Sequence, residues 1–273
     1  MSQKATARSI GVFDSGFGGL TVLRALLERL PGVDYTYLGD TARLPYGAKS
    51  KATVERYAVS SARFLVEEGA EYLVIACNTA SALALDAIRD AVSVPVLGVI
   101  ETGANAAESA TRNKDVLVMA TSATVESHAY AKACEARGLR VYEKACPLLV
   151  PLVEEGWIDH PVTEEVLRIY LEELMVESAA NELNPDTLVL GCTHYPLLRH
   201  NIARAVPESI RVIDSADVTA EQVASALHLP GANNAEGHAR LFYATDSVSK
   251  FRRLGEKFLG RSIDEVTLID LGG

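Results

Sequence analysis

The sequence predicts an α/β protein made of two pseudo-symmetric doubly wound parallel-sheet domains that face a central cleft. Apolar strand-like runs alternate with helical patterns along most of the chain. The runs are apolar throughout rather than alternating, which is typical of parallel strands covered by helices on both faces. Two strand-to-helix junctions, one at Cys77 and one at Cys192, also have similar sequences. Together these observations favour the doubly wound class.

The individual elements follow from the apolar pattern in chain order. Apolar runs predict strands at residues 9–13, 34–38, 72–76, 94–99, 116–120, 187–190, 211–213 and 240–243. Apolar residues at helical spacing predict helices at about residues 20–30, 52–68 and 79–91, and one running through His128 to residue 136. A glycine-rich turn connects the first strand to the first helix.

A weak internal repeat divides the chain into halves. Residues 72–79 resemble residues 187–194, and residues 10–15 resemble residues 117–122. We therefore expect residues 1–97 with 207–273 to form one α/β domain, and residues 98–206 to form the other. Pro95 and Pro207 are the candidate crossing points.

Composition excludes several classes of function. The chain has 273 residues, 48% of them hydrophobic, and a net charge of -10. A net negative charge disfavours nonspecific binding to nucleic acid or to an anionic membrane face. No apolar run reaches the roughly 18–20 residues that span a bilayer, and the first residues show no signal-peptide pattern. We therefore expect a cytoplasmic protein.

The four cysteines form no C-x-x-C pair, so free thiols are expected. Cys77 and Cys192 each end a buried strand and precede a helix, and ligands of open parallel sheets bind beyond such strand ends. The helix dipole can lower a thiol pKa there. Two thiols on opposite sides of one cleft suit racemisation, because one removes the Cα proton while the other protonates the opposite face. The alternative is that both are small buried residues; Cys134 and Cys146 are predicted to be structural.

Other polar residues near the strand ends are weaker candidates. Asp14 and Ser15 lie in a glycine-rich turn that fits no phosphate-binding motif. They could face the cleft and bind a substrate ammonium group, or belong to a turn and nothing more. His194, two residues after Cys192, is a candidate partner in a proton network. Chemistry alone leaves the role of the loop at residues 39–47 open.

The motifs together resemble the glutamate racemase family. The matching segments are residues 13–19, 39–47, 77–81, 120–124, 146–155 and 191–196, which occur in the family's order and extend over most of the chain. The resemblance implies interconversion of L- and D-glutamate without a cofactor or a metal ion. It also implies a supply of D-glutamate for peptidoglycan.

The resemblance further implies roles for individual residues. Cys77 and Cys192 would be the acid/base pair, and Asp14 and His194 would tune the adjacent thiols. A catalytic glutamate is expected at Glu154, with Glu155 as the alternative. Substrate contacts are implied for Asp14, Ser15, Tyr46, Gly47, Asn78, Thr79, Thr121, Thr193 and His194. The partner is the small-molecule substrate, L- or D-glutamate, and whether the chain forms a homodimer is left open.

Three other interpretations compete with this one. A racemase of the same superfamily could act on aspartate or a hydantoin. The dimensions of the cleft decide which length of substrate the enzyme accepts. A pyridoxal-dependent racemase would need a lysine, and only Lys49 and Lys51 lie near a motif. A binding protein without activity could also use this fold.

Overall fold

The computed structural model describes residues 9–227 and 238–272, which form two parallel β-sheets with helices around them. Residues 1–8, part of the segment searched for a signal peptide, lie outside this range. The strands of the described residues are β1 (Ser9–Asp14), β2 (Asp34–Gly39), β3 (Tyr72–Ile75), β4 (Val96–Gly98), β5 (Asp115–Ala120), β6 (Arg140–Ala145), β7 (Thr187–Gly191), β8 (Arg211–Ile213), β9 (Arg240–Ala244) and β10 (Thr267–Leu268). The α-helices are α1 (Leu20–Arg29), α2 (Lys51–Glu67), α3 (Asn78–Leu83), α4 (Leu85–Ala91), α5 (Val99–Ala110), α6 (Ser122–Ser127), α7 (Ala129–Glu135), α8 (Leu149–Glu154), α9 (Pro161–Ala180), α10 (Arg199–Ala205), α11 (Ala216–Ala226) and α12 (Val248–Leu259).

The two sheets repeat one topology. The first has the order β10-β9-β2-β1-β3-β4 and the second has the order β6-β5-β7-β8. The run β2-β1-β3-β4 matches the whole second sheet strand for strand, and every paired strand is parallel. The predicted fold class is confirmed, and the repeated junctions at Cys77 and Cys192 occupy equivalent places, after β3 and β7.

The strand β8 lies in a different half from the one predicted. Residues 207–273 were assigned to the first half, yet β8 pairs with β7 of the second sheet. Among the residues that the structure describes, the next strand to join the first sheet is β9, which pairs with β2. The intervening helix α11 packs against both α1 and α5, so it connects the halves. Pro207 precedes the last strand of the second sheet and does not mark the crossing.

Two predicted helices are interrupted. The helix expected at residues 79–91 is divided at Ala84, which separates α3 from α4. The helix through His128 is divided at His128 itself, whose φ of 54° is left-handed. The strand expected at residues 94–99 is shorter, because Val99 already begins α5. These breaks leave short helices directly after the strands, beside the cleft.

The apolar runs form the buried centre of each sheet. All residues of β3, β5 and β7 are buried, as the continuous hydrophobic runs predicted. Aromatic side chains fill the space between the first sheet and its helices, where Phe251 of α12 packs against Phe17 and Tyr37. No helix in residues 9–227 or 238–272 is long and apolar enough to cross a membrane.

Candidate active site

One cavity of about 460 Å³ lies where the carboxyl ends of the strands of both sheets meet. Cys77, two residues after the end of β3, lines it from the first half, and Cys192, directly after β7, lines it from the second. The cavity therefore holds two free thiols from matched positions. The residues that were predicted from the sequence to belong to the site and that line this cavity are Ser15, Tyr46, Gly47, Cys77, Asn78, Thr79, Thr121, Glu154, Cys192, Thr193 and His194.

The Cys77 thiol is buried in a neutral to acidic environment. Its sulfur caps α3 by accepting a hydrogen bond from the Ala80 N–H at 3.4 Å, and its thiol donates to Ser15 Oγ at 3.5 Å. Burial raises the pKa of Cys77 to about 12, with a further contribution from the nearby Asp14 carboxylate. The sequence led us to expect a lowered thiol pKa at a helix start. At Cys77 the loss of hydration outweighs the hydrogen bonds that favour the thiolate.

Asp14 lies behind the cavity wall rather than on it. Its carboxylate is buried; Oδ2 accepts a hydrogen bond from the Gly16 N–H at 2.8 Å, and Oδ1 has no hydrogen-bond partner. Burial raises the pKa of Asp14, although attraction to His194 opposes this. The structure thus brings Ser15 to the cavity and places Asp14 within electrostatic reach of both Cys77 and His194.

The Cys192 thiol lies beside a chain of charged groups. Its sulfur is 3.9 Å from His194 Nδ1, and His194 Nε2 is 3.3 Å from Glu154 Oε1. The second oxygen of Glu154 accepts a hydrogen bond from Lys250 Nζ at 3.1 Å. These contacts connect Cys192 to the surface through three side chains.

The contacts of His194 and Glu154 favour the charged forms of both. Burial alone would lower the pKa of His194, but its hydrogen bonds to Cys192 and Glu154 raise it to about 10. Burial alone would raise the pKa of Glu154, yet His194 and Lys250 hold it below its usual value. An imidazolium ring therefore lies beside Cys192, whereas Cys77 has the buried Asp14 carboxyl group within electrostatic reach.

The structure distinguishes the two candidate glutamates. Glu154 lines the cavity and contacts His194. Glu155 is exposed and lines a separate apolar surface groove with Trp157. Of the two predicted positions, only Glu154 is near the thiols.

Hydroxyl groups from both halves meet in the cavity. Thr79 Oγ1 of the first half is 2.9 Å from Thr121 Oγ1 and 3.3 Å from Thr124 Oγ1 of the second. Gly47 fits closely against Thr121, because a Cβ at Gly47 would lie 2.8 Å from Thr121 Cβ. Thr79 and Thr121 line the cavity, and their hydroxyls are suitable donors and acceptors for a small polar ligand.

Some residues that support the site were not anticipated. Asp40 accepts a hydrogen bond from Tyr46, and Tyr130 donates one to Asn78 at 2.7 Å. Thr124 and Lys250 also contact predicted site residues. Asp40 and Thr124 lie inside matching motif segments, which was the only available signal for them. Lys250 and Tyr130 lie outside every such segment.

No lysine of the described chain lines the cavity. Lys51 is exposed and pairs with Glu55 on α2. Within residues 9–227 and 238–272, no group of three or more His, Cys, Asp or Glu side chains is arranged to hold a metal ion. The titratable side chains that line the cavity include the two thiols, His194 and Glu154.

Comparison with known proteins identifies the family of this fold and site. The family model described as Asp/Glu/Hydantoin racemase matches residues 10–223, which include both cysteines. The chain belongs to this racemase family. The predicted family and the predicted enzyme class are therefore confirmed.

The racemase is similar to several named relatives along nearly its whole length. A glutamate racemase from Koribacter versatilis (strain Ellin345) is 51% identical, over 97% of this chain and 98% of the relative. The solved glutamate racemase from Bacillus anthracis is 36% identical with a TM-score of 0.87. That from Francisella tularensis, solved in complex with D-glutamate, is 37% identical with a TM-score of 0.86. Each of the two structures is matched over 97% of this chain and 98% of the solved chain.

Proposed function

We propose that this racemase interconverts L- and D-glutamate by proton transfer at Cα, with Cys77 and Cys192 acting on opposite faces. The observation that carries the proposal is the pair of thiols, which line one cavity from equivalent positions of two matched sheets. The relatives named glutamate racemase at up to 51% identity favour glutamate over aspartate or a hydantoin as the substrate. In this proposal the enzyme acts in the cytoplasm and supplies D-glutamate for peptidoglycan.

The proton balance of the proposed reaction is simple. One cysteine enters as thiolate, takes the Cα proton and becomes a thiol. The other enters as a thiol, donates its proton to the opposite face of Cα and becomes a thiolate. The two cysteines finish in exchanged protonation states, so the enzyme is ready for the reverse reaction or must exchange protons with solvent.

The neighbours of each thiol suit one of these two states. The positively charged His194 ring stabilises negative charge on Cys192 Sγ as a proton leaves it. Cys77, with its raised pKa, holds its proton at neutral pH and is a donor in this state. We infer that the resting enzyme has a Cys77 thiol ready to donate and a Cys192 sulfur supported by His194.

The weakly acidic Cα–H of a free amino acid makes this reaction demanding. Negative charge on Cα spreads into the α-carboxylate, and the hydroxyls of Thr79, Thr121 and Thr193 are suitable donors to it. Both halves line the cavity, so their closure around the substrate would exclude water and strengthen these interactions.

The proposal is tested by circular dichroism of the purified protein with L-glutamate and, separately, with D-glutamate. Decay of both signals to zero is expected, with no decay for either enantiomer of aspartate and no turnover of a hydantoin. Absorbance in the visible range is recorded on the same sample, because a lysine-bound pyridoxal group would colour it. Binding of D-glutamate without any decay would contradict the proposal and indicate a protein without racemase activity.

A further inference from the structure

Helix α12 of the first half contacts the proton-transfer residues of the second half at two points. Lys250 Nζ is 3.1 Å from Glu154 Oε2, and the Phe258 ring packs edge-on against the His194 ring at a centroid distance of 5.2 Å. The helix itself packs against α1. Immediately before it, the Asp246 N–H donates a hydrogen bond to Thr41 Oγ1 at 2.8 Å. The first half thus supports groups that belong to the Cys192 side.

Glu154 connects the two halves through its two carboxylate oxygens. Oε1 contacts His194 of its own half, and Oε2 contacts Lys250 of the other. The Glu154 side chain is 14% exposed and that of His194 is 6%, so few water molecules can replace either partner. A carboxylate with both oxygens engaged has a restricted orientation, which fixes the oxygen that meets the imidazole.

The position of Lys250 separates it from the substrate. Lys250 is not among the residues that line the cavity, and its side chain is 40% exposed. Its Nζ also lies 5.5 Å from the centroid of the Phe17 ring, a cation–π distance that holds the stem in place. Its contact with Glu154 is the one that joins Lys250 to His194 and Cys192.

We propose that Lys250 is a positioning residue for proton transfer at Cys192, which acts across the interface of the two halves through Glu154 and His194. The inference rests on the proposed function. It adds that the chain of contacts from Cys192 through His194 and Glu154 is complete only when α12 lies against Glu154. A shift of one half relative to the other would break this contact and misplace the imidazole, so closure and proton transfer are linked at Lys250.

The test compares single variants on α12. Lys250→Met removes the charge but keeps most of the side-chain volume, and we expect kcat for glutamate to fall on the order of tenfold with KM nearly unchanged. Lys250→Arg keeps the charge and should recover most of the loss. Lys257→Met is the matched control, because Lys257 is exposed on the same helix and makes no ion pair with Glu154.

A double-mutant cycle then asks whether Lys250 acts through Glu154. In the Glu154→Gln background, Lys250→Met should cause little further loss of kcat, because the connecting carboxylate is already gone. A tenfold loss that persists undiminished in that background would overturn the inference, as would a Lys250→Met enzyme equal to the wild type. In those outcomes the wild type still racemises glutamate and the proposed function stands; a wild type that does not turn glutamate over contradicts both.

Discussion

The two halves present the same backbone arrangement around different electrostatic neighbours. Cys77 and Cys192 each follow the equivalent strand of a matched four-strand run. Cys77, however, lies beside Ser15 and within reach of the Asp14 carboxylate, whereas Cys192 lies beside an imidazolium that is paired with Glu154. The fold fixes where each sulfur lies, and the side chains around each sulfur differ in charge and in hydrogen bonding.

This difference is useful for a reaction that requires unlike partners at any moment. A racemase with two thiols needs one acid and one base when the substrate arrives. Two identical environments would favour equal protonation of both sulfurs, and neither the doubly protonated nor the doubly ionised pair can react. The His194 ring stabilises negative charge on Cys192 Sγ, and burial raises the pKa of Cys77, so the two environments suit unlike roles.

The largest effect is expected from removing either thiol. Cys77→Ala and Cys192→Ala should each lower kcat/KM for glutamate by on the order of 10⁴-fold, because each removes the acid or base for one face. Polarimetry or circular dichroism would measure the loss. Cys134→Ala is the control, since Cys134 is buried on α7 away from the cavity. Substantial racemisation by either site variant would contradict the two-thiol account.

The next effect concerns the polar partner of each thiol. His194→Asn should lower kcat by about 100-fold, because it removes the charge beside Cys192. Ser15→Ala should cost about tenfold or less, because a neutral hydrogen bond to Cys77 is lost. Steady-state kinetics of both variants measures the ratio of their losses in kcat. Equal losses would mean that the electrostatic contrast between the halves has no catalytic consequence.

A smaller effect is expected at adjacent glutamates. Glu154→Gln should lower kcat on the order of tenfold, because an amide cannot support the His194 imidazolium as a carboxylate does. Glu155→Gln, one residue further along the chain, should leave kcat unchanged, since Glu155 points to the surface groove. If both variants had the same kcat, the contact between Glu154 and His194 would have no role in catalysis.

Stability should fall with rising pH because of His194. The pKa of His194 is raised to about 10 in the folded chain, against about 6.5 when unfolded, so the folded state binds the extra proton between these values. The contribution of His194 protonation to the free energy of unfolding is full below pH 6.5. It is lost as pH rises towards 10, at about 1.4 kcal/mol per pH unit at most. Urea unfolding at pH 7 and pH 9 measures the slope. His194→Asn should flatten it, and an identical slope in that variant would argue against a charged His194.

The centre of each sheet and the thiol sites were predictable from the sequence because their signals are local. A buried parallel strand is a continuous apolar run, and the residue after it lies at the cleft edge in this class of fold. Both cysteines satisfy these two conditions. The hydroxyls at Thr79 and Thr121 lie next to such strand ends as well, and both line the cavity.

The features that could not be predicted from the sequence depend on contacts between residues that are far apart along the chain. Strand β6 lies at a sheet edge and contains half-buried charged residues such as Glu143 and Lys144, so it has no apolar run to reveal it. Strand β8 has three residues, and no local signal shows which sheet it joins. Lys250 is 96 residues from Glu154, and a surface lysine on an amphipathic helix is ordinarily solvated. Only the packing of α12 brings it to the site.

The most direct test of the central claim follows deuterium from D₂O into glutamate early in the reaction. L-glutamate and D-glutamate are incubated separately, and the product and the unreacted substrate are analysed for deuterium at Cα by mass spectrometry after chiral separation. Two thiols on opposite faces predict deuterium in the product enantiomer and almost none in the recovered substrate, in both directions. Early deuterium in the recovered substrate, or product that retains the original proton, would indicate a single base and contradict the account.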